Sequence, residues 1–238
     1  MSRRVKKRFT SEVNIIDFQP YLPAKKTRVV ISARNPNQKL YLQKLQDESK
    51  NIILAIGPAG TGKTMLAVQH GIKMFQEGIV DKIVVTRPAV SVDEDLGFLP
   101  GDLNEKMAPW TRPIFDVFAE YYKQADIKKM LEEGVIEISP LAYMRGRTFK
   151  NSYIVADECQ NTTVNQMKML LTRLGEGSKM VVTGDLAQAD RLNDNGLIDF
   201  CNLLESKDKL TYIDIVSFDH KDIERHNAVK EVLTVYGD

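Results

Sequence analysis

Residues 57–64 read Gly-Pro-Ala-Gly-Thr-Gly-Lys-Thr, which fits G-x-x-x-x-G-K-[ST], the spacing of a loop that wraps a phosphate chain. Glycines let a backbone close around an anion, and N–H groups at a helix start then point at it. On this reading Gly57, Pro58, Ala59, Gly60, Thr61, Gly62 and Met65 form the cradle. Lys63 reaches the β- and γ-phosphates, and the Thr64 hydroxyl ligates Mg²⁺. A bare glycine turn needs neither the lysine nor the threonine. A second chemical group closes the apolar run Ser152-Tyr153-Ile154-Val155-Ala156, which ends in Asp157-Glu158. Adjacent carboxylates at the end of a buried strand are costly unless a cation or a donor meets them. Asp157 is expected to hold Mg²⁺ and Glu158 to orient and activate the attacking water. A third group is the polar tip Gly184-Asp185 with Gln188 close behind, expected to face a γ-phosphate. The chemistry these residues suit is Mg²⁺-assisted hydrolysis of a nucleoside triphosphate.

Such groups need elements to hold them. Ile52–Ile56 is an apolar run of the length of a buried parallel strand, and good helix formers follow the loop from Met65 to His70. Lys82–Thr86, Val135–Ile138, Lys179–Thr183 and Leu210–Val216 read as further strands. Thr86 is followed by Arg87-Pro88, so an arginine sits at the strand's carboxyl end, the ligand side of a parallel sheet. The strand that ends at Thr183 is expected between the loop strand and the Asp157-Glu158 strand. Helices are expected from Asn37, from Ile114 to about Met130, from Thr163, over Gly196–Leu204 and from about Asp219 to Tyr236. Val29-Val30-Ile31 reads as a short edge strand. Residues from Ala89 to about Pro113 carry several prolines with Phe98, Trp110 and Arg112, and read as a long irregular insertion. Its aromatic and arginine residues suit either packing on the body or stacking on bases.

Composition narrows the field. With 238 residues, 43% of them hydrophobic, the chain can bury a full core as one domain. A net charge of +1 makes any nucleic-acid site a local patch. The basic cluster lies at residues 1–34, an arm rich in Lys and Arg and broken by Pro20 and Pro23; residues 35–238 read as the single catalytic domain. Cys159 and Cys201 lack metal-ligand spacing, and a reducing cytoplasm is the expected setting. Apolar runs fall short of the about 20 residues of a membrane span.

Several separate strings resemble the PhoH family, which is named for phosphate-starvation-inducible ATPases and is similar to the first motor domain of superfamily 1 helicases. They are TRPAV (86–90), GFLPGDL (97–103), PLAYMRGRTF (140–149), DECQNTT (157–163), QMKMLLTRLG (166–175) and VVTGDLAQ (181–188). The resemblance spans about residues 35–236. It implies a RecA-like α/β fold with a mainly parallel, doubly wound sheet and helices on both faces. It also implies that Gln38 reads adenine, that Arg87 and Asp185 bind nucleotide, and that Gln188 senses the γ-phosphate. Departures include Ala156 and Cys159 around the carboxylates, Asp190-Arg191-Leu192, and the string Asp222 to His226; none replaces a phosphate or metal ligand. Partners follow from the same resemblance: RNA or single-stranded DNA on one reading, a nucleotide-dependent switch or assembly factor on the other. One such motor domain carries half of a hydrolytic site. A homo-oligomeric ring, with six subunits expected, would complete it with an arginine from a neighbour, and Arg145, Arg147 and Arg225 are the candidates.

Overall fold

The computed structural model describes residues 28–88, 103–189, 194–207, 210–224 and 227–236. The expectations about the basic arm before residue 28, Phe98, Arg191 and Arg225 lie outside the described residues. In chain order the elements are α1 (Pro36–Gln46), β1 (Ile52–Ile56), α2 (Lys63–Gln76), β2 (Lys82–Thr86), α3 (Leu103–Tyr121), α4 (Gln124–Glu132) and β3 (Ile136–Ile138). There follow β4 (Ser152–Ala156), α5 (Val164–Leu171), β5 (Lys179–Gly184), α6 (Gly196–Glu205), β6 (Ile213–Ser217) and α7 (Asn227–Tyr236).

The strands form one six-stranded sheet in the order β3-β2-β4-β5-β1-β6. Every pair is parallel. Each residue of β1, β4 and β5 is buried, as strands covered on both faces require. The pleat divides their side chains between two cores. Ile53, Ala55, Val85, Tyr153, Val155 and Val181 pack under α1, α2, α3 and α4. Leu54, Val84, Ile154, Met180 and Val182 pack on the other face, under Met167 and Leu170 of α5 and Leu197 and Cys201 of α6. β5 lies between the loop strand β1 and the carboxylate strand β4, as expected. This is the RecA-like arrangement, and it brings the ends of all three strands to one edge.

Three expectations are corrected. Helix α3 begins at Leu103, not near Ile114, and contains Pro109 and Pro113. A proline costs its own N–H and loosens the carbonyls a turn earlier. Arg87 Nη1 donates to the Trp110 carbonyl at 3.1 Å, which ties the turn between the two prolines to the end of β2. Second, residues 29–31 join no strand. Val29 instead buries its side chain in the α1–α4 core, and its N–H donates to Gln76 Oε1 on α2. Third, the run from Asp219 is not one helix. Asp219 and Asp222 close a capping box around a single 3₁₀ turn, and the Glu224 N–H then donates to the Gly60 carbonyl, which draws the chain out of helical geometry before α7.

Candidate active site

The loop 57–62 leaves β1 and turns into α2. Gly57 stands at φ +143°, and a Cβ there would lie 2.3 Å from the Phe218 carbonyl oxygen, so a side chain has no place. Gly62 caps α2 at φ +84°, and a Cβ there would lie 3.0 Å from Gln38 Nε2. α2 starts at Lys63, so its first N–H groups lack partners within the helix and face the loop's interior.

Lys63 is buried and folds back on the loop. Its Nζ donates at 2.6 Å to the carbonyls of both Gly57 and Pro58. Burial lowers the pKa of its ammonium, against the pull of Asp185, Glu158 and Asp157. The Thr64 hydroxyl donates to Asp157 Oδ1 at 2.6 Å, and the Thr183 hydroxyl donates to the same oxygen at 2.6 Å. Asp157 is itself buried, with its N–H on the Thr86 carbonyl of β2. Glu158 adopts φ +56° and ψ 44°, the left-handed region that a non-glycine residue enters at a cost of about 1–3 kcal/mol.

The expected residues divide as follows. Ala59, Gly60, Gly62, Lys63, Thr64, Met65, Glu158, Asp185 and Gln188 line one cleft of about 220 Å³, together with Thr183 and Gly184. That is below the about 300–1,000 Å³ that encloses a whole small ligand, and it suits a phosphate chain. Asp157 stands beside the cleft through its bond to Thr64. Gly57, Pro58 and Thr61 support the loop from behind, with the Thr61 hydroxyl on the Pro58 carbonyl at 3.0 Å. Larger hollows lie at α3–α4, at the amino ends of the strands and beside Val29, and none of these is lined by the phosphate loop, Asp157 or Glu158.

Other expected residues stand apart from the cleft. Gln38 is buried, not on the surface, and its amide is engaged with backbone: Oε1 accepts the Arg34 N–H at 2.8 Å and Nε2 donates to the Thr61 carbonyl at 3.0 Å. Arg87 is turned toward Trp110. Trp110 packs with Phe115 and Leu131 around Ile138. Arg147 takes the within-chain role. Its guanidinium grips both carboxylate oxygens of Glu137 and lies 4.5 Å over the Phe149 ring. Arg145, two residues earlier, is exposed.

Two residues of the site escape the sequence reading. Thr183 holds Asp157, and its signal is a threonine directly after the apolar run Met180–Val182. Gln160 is buried beside Glu158 and Asp185. It sits within the string DECQNTT, but nothing in its spacing separates it from a surface glutamine.

The oxygen donors at Thr64 and Asp157 suit a hard cation that keeps water and phosphate oxygens as its other ligands. Among the described residues, no cluster of three or more His, Cys, Asp or Glu side chains forms a separate metal site, and no helix is long and apolar enough to cross a membrane.

A family model described as "PhoH-like protein" matches residues 30–237. A PhoH-like protein of Bacillus subtilis (strain 168) is 42% identical over 208 residues, covering 87% of this chain and 64% of that protein. Protein PhoH of Escherichia coli (strain K12) is 43% identical over 210 residues, covering 87% of this chain and 58% of that one. The chain therefore spans less than two thirds of the length of either relative. A solved SWI2/SNF2 ATPase core of Sulfolobus solfataricus in complex with dsDNA is similar at a TM-score of 0.43 and 15% identity, over 84% of this chain and 47% of that one. The family match runs from before α1 to the end of α7 and takes in the loop, both carboxylates and the β5 tip: the chain belongs to the PhoH-like family.

Proposed function

We propose that this chain hydrolyses ATP with Mg²⁺ at the cleft between β1, β4 and β5, and that hydrolysis is coupled to binding or remodelling RNA or single-stranded nucleic acid. The observation that carries the first part is the meeting of Thr64 and Asp157, 93 positions apart, on one 2.6 Å hydrogen bond beside Lys63. Mg²⁺ held by this pair supplies charge neutralisation on the phosphates. Lys63 leaves the Gly57 and Pro58 carbonyls for the β- and γ-phosphates. Glu158 orients a water in line and takes its proton as the water oxygen bonds to phosphorus and ADP departs. Gln188 and Asp185 read the γ-phosphate from the β5 end.

Support for the nucleic-acid part is local. Tyr143 is 65% exposed, an aromatic face that suits stacking on a base. A net charge of +1 favours the second reading, a nucleotide-dependent switch or assembly factor in the cytoplasm that does not move on a strand. Turnover measured with and without Mg²⁺, and with and without RNA or single-stranded DNA, tests both. Absence of Mg²⁺-dependent turnover overturns the ATPase. Turnover and nucleotide affinity that ignore both nucleic acids at low salt leave the switch. A homohexameric ring completes the site in this proposal, with Arg145 donated to the neighbour's γ-phosphate. A monomer with full turnover in solution overturns that assembly.

A further inference from the structure

Gln160 touches three parts of the site from one buried position, where it is 4% exposed. Its Nε2 donates to Glu158 Oε2 at 2.5 Å. Its Oε1 accepts the Asp185 N–H at 3.2 Å, at the start of the turn that carries Gln188 to the cleft. Its carbonyl accepts Asn195 Nδ2 at 2.6 Å, and Asn195 caps α6 through Leu197 and Ile198.

A carboxylate on a flexible side chain serves as a base only when its oxygen is held near the attacking water. Glu158 faces this problem in an acute form. Its backbone enters the left-handed region just past the end of β4, and it is followed at once by a 3₁₀ turn, Cys159–Asn161. The reversal brings residues 158 and 160 to the same side. The Gln160 amide is then the group that fixes one carboxylate oxygen of Glu158 and leaves the other for the water. The amide is itself fixed, because both its ends are engaged and its backbone is pinned by Asn195. Space is tight around it: a Cβ on Gly184 would lie 3.3 Å from Gln160 Oε1.

We infer that Gln160 is a positioning residue for hydrolysis: it sets the Glu158 carboxylate and ties it to the Asp185 turn, so that the base and the γ-phosphate reader move as one unit. The inference rests on the reading of Glu158 as the base. It assigns Gln160 no contact with ATP.

Gln160→Glu is the informative substitution. It keeps an oxygen for the Asp185 N–H but replaces the donor facing Glu158 with a like charge. The expected result is a kcat about tenfold or more below wild type with the KM for ATP within about twofold. In a Glu158→Gln background the same substitution is expected to cost no further rate, because its effect passes through Glu158. Gln160→Met, which lacks both amide groups, is the second variant should the charged one fail to fold. It is expected to show the same split between kcat and KM, with binding of a fluorescent ATP analogue retained. Unchanged kcat in a folded Gln160 variant, or an equal loss in both backgrounds, overturns the inference. Wild-type protein that binds ATP without turning it over overturns the proposed function itself, a distinguishable result.

Discussion

Thr64 and Thr183 donate to the same oxygen of Asp157, each at 2.6 Å. One hydroxyl comes from the first turn of α2 and the other from the end of β5, so a single carboxylate oxygen closes the gap between the phosphate loop and two neighbouring strands. Asp157→Asn is expected to lower Mg²⁺-dependent turnover by about 10² or more and to raise the Mg²⁺ concentration needed for half-maximal rate. A Mg²⁺ titration of ATPase rate checks it. An unshifted titration curve would remove Asp157 from the metal site.

Lys63 and Glu158 separate binding from chemistry. Lys63→Ala takes the cation out of the loop and is expected to abolish hydrolysis and weaken ATP binding together. Glu158→Gln keeps the side-chain shape and is expected to retain ATP and Mg²⁺ binding while turnover falls by on the order of 10². Equilibrium nucleotide binding measured beside steady-state rates distinguishes the two. Normal turnover in Glu158→Gln would refute its role as base.

The two arginines of the Met144–Thr148 segment are expected to behave differently. Arg147 pairs with Glu137, which also receives Lys82 Nζ at 3.0 Å, on the partly exposed β3 edge. Arg147→Ala is expected to cost about 1 kcal/mol or less of stability and to leave turnover largely intact. Arg145→Ala is expected to suppress turnover if the proposed ring forms. Mixed with Lys63→Ala subunits, it should regain activity, because each mutant supplies what the other lacks. Rings that stay inactive on mixing would exclude donation by Arg145.

Gly71 lies where α2 crosses β4. A Cβ there would stand 2.6 Å from the Tyr153 ring, which is fully buried and cannot retreat. Gly71→Ala, a change that ordinarily favours a helix, is expected to destabilise the fold by about 1–3 kcal/mol through overpacking. Thermal or urea unfolding reads the change; a raised midpoint would contradict the packing described.

The neighbouring His70 predicts a pH dependence. Burial first, then the charges of Lys179 and Lys73, bring its pKa from 6.5 to about 3, and its Nδ1 lies 3.2 Å from the Tyr153 hydroxyl. The unfolded chain takes up a proton near pH 6.5 that the folded chain refuses until about pH 3. Its contribution to stability is therefore lost as the pH falls through that window, at up to about 1.4 kcal/mol per unit. His70→Gln removes the titration and is expected to flatten the acid side of the curve of unfolding free energy against pH. A slope equal to that of wild type would show that His70 does not carry it.

Much of this is legible in residue order because strands buried on both faces are mostly apolar. That makes β1, β4 and β5 visible, and the polar residues at their ends stand out by contrast. The position of β5 between the other two follows from the chemistry of its tip. Less legible are features decided by tertiary contacts. Pro109 and Pro113 argue against a helix, yet the helix runs through both, and an arginine from β2's end adds a tie to the turn between them. Val29-Val30-Ile31 has the composition of a strand, but the Val29 side chain is claimed by the core over α2. Gln38 and Gln160 carry no local mark of burial, since an amide is buried only where groups from elsewhere meet both its ends. Arg147 suits a donated arginine and a paired one equally well in the sequence, and only the fold sets Glu137 opposite it.

The phosphate loop is held from two sides by segments far apart in the chain. Gln38 takes the Thr61 carbonyl and Glu224 donates to the Gly60 carbonyl. Asn35 and Asn37 join Asp222 across 187 and 185 positions. Contacts of such separation form late, after the loop-closure entropy between them has been met. During synthesis on the ribosome, β1, the glycine loop and α2 emerge long before residues 222–224 exist to brace them. The nascent chain therefore displays its nucleotide-binding sequence for most of its elongation without the finished loop. Nucleotide capture on the ribosome should appear as a late step, once β6 has docked beside β1.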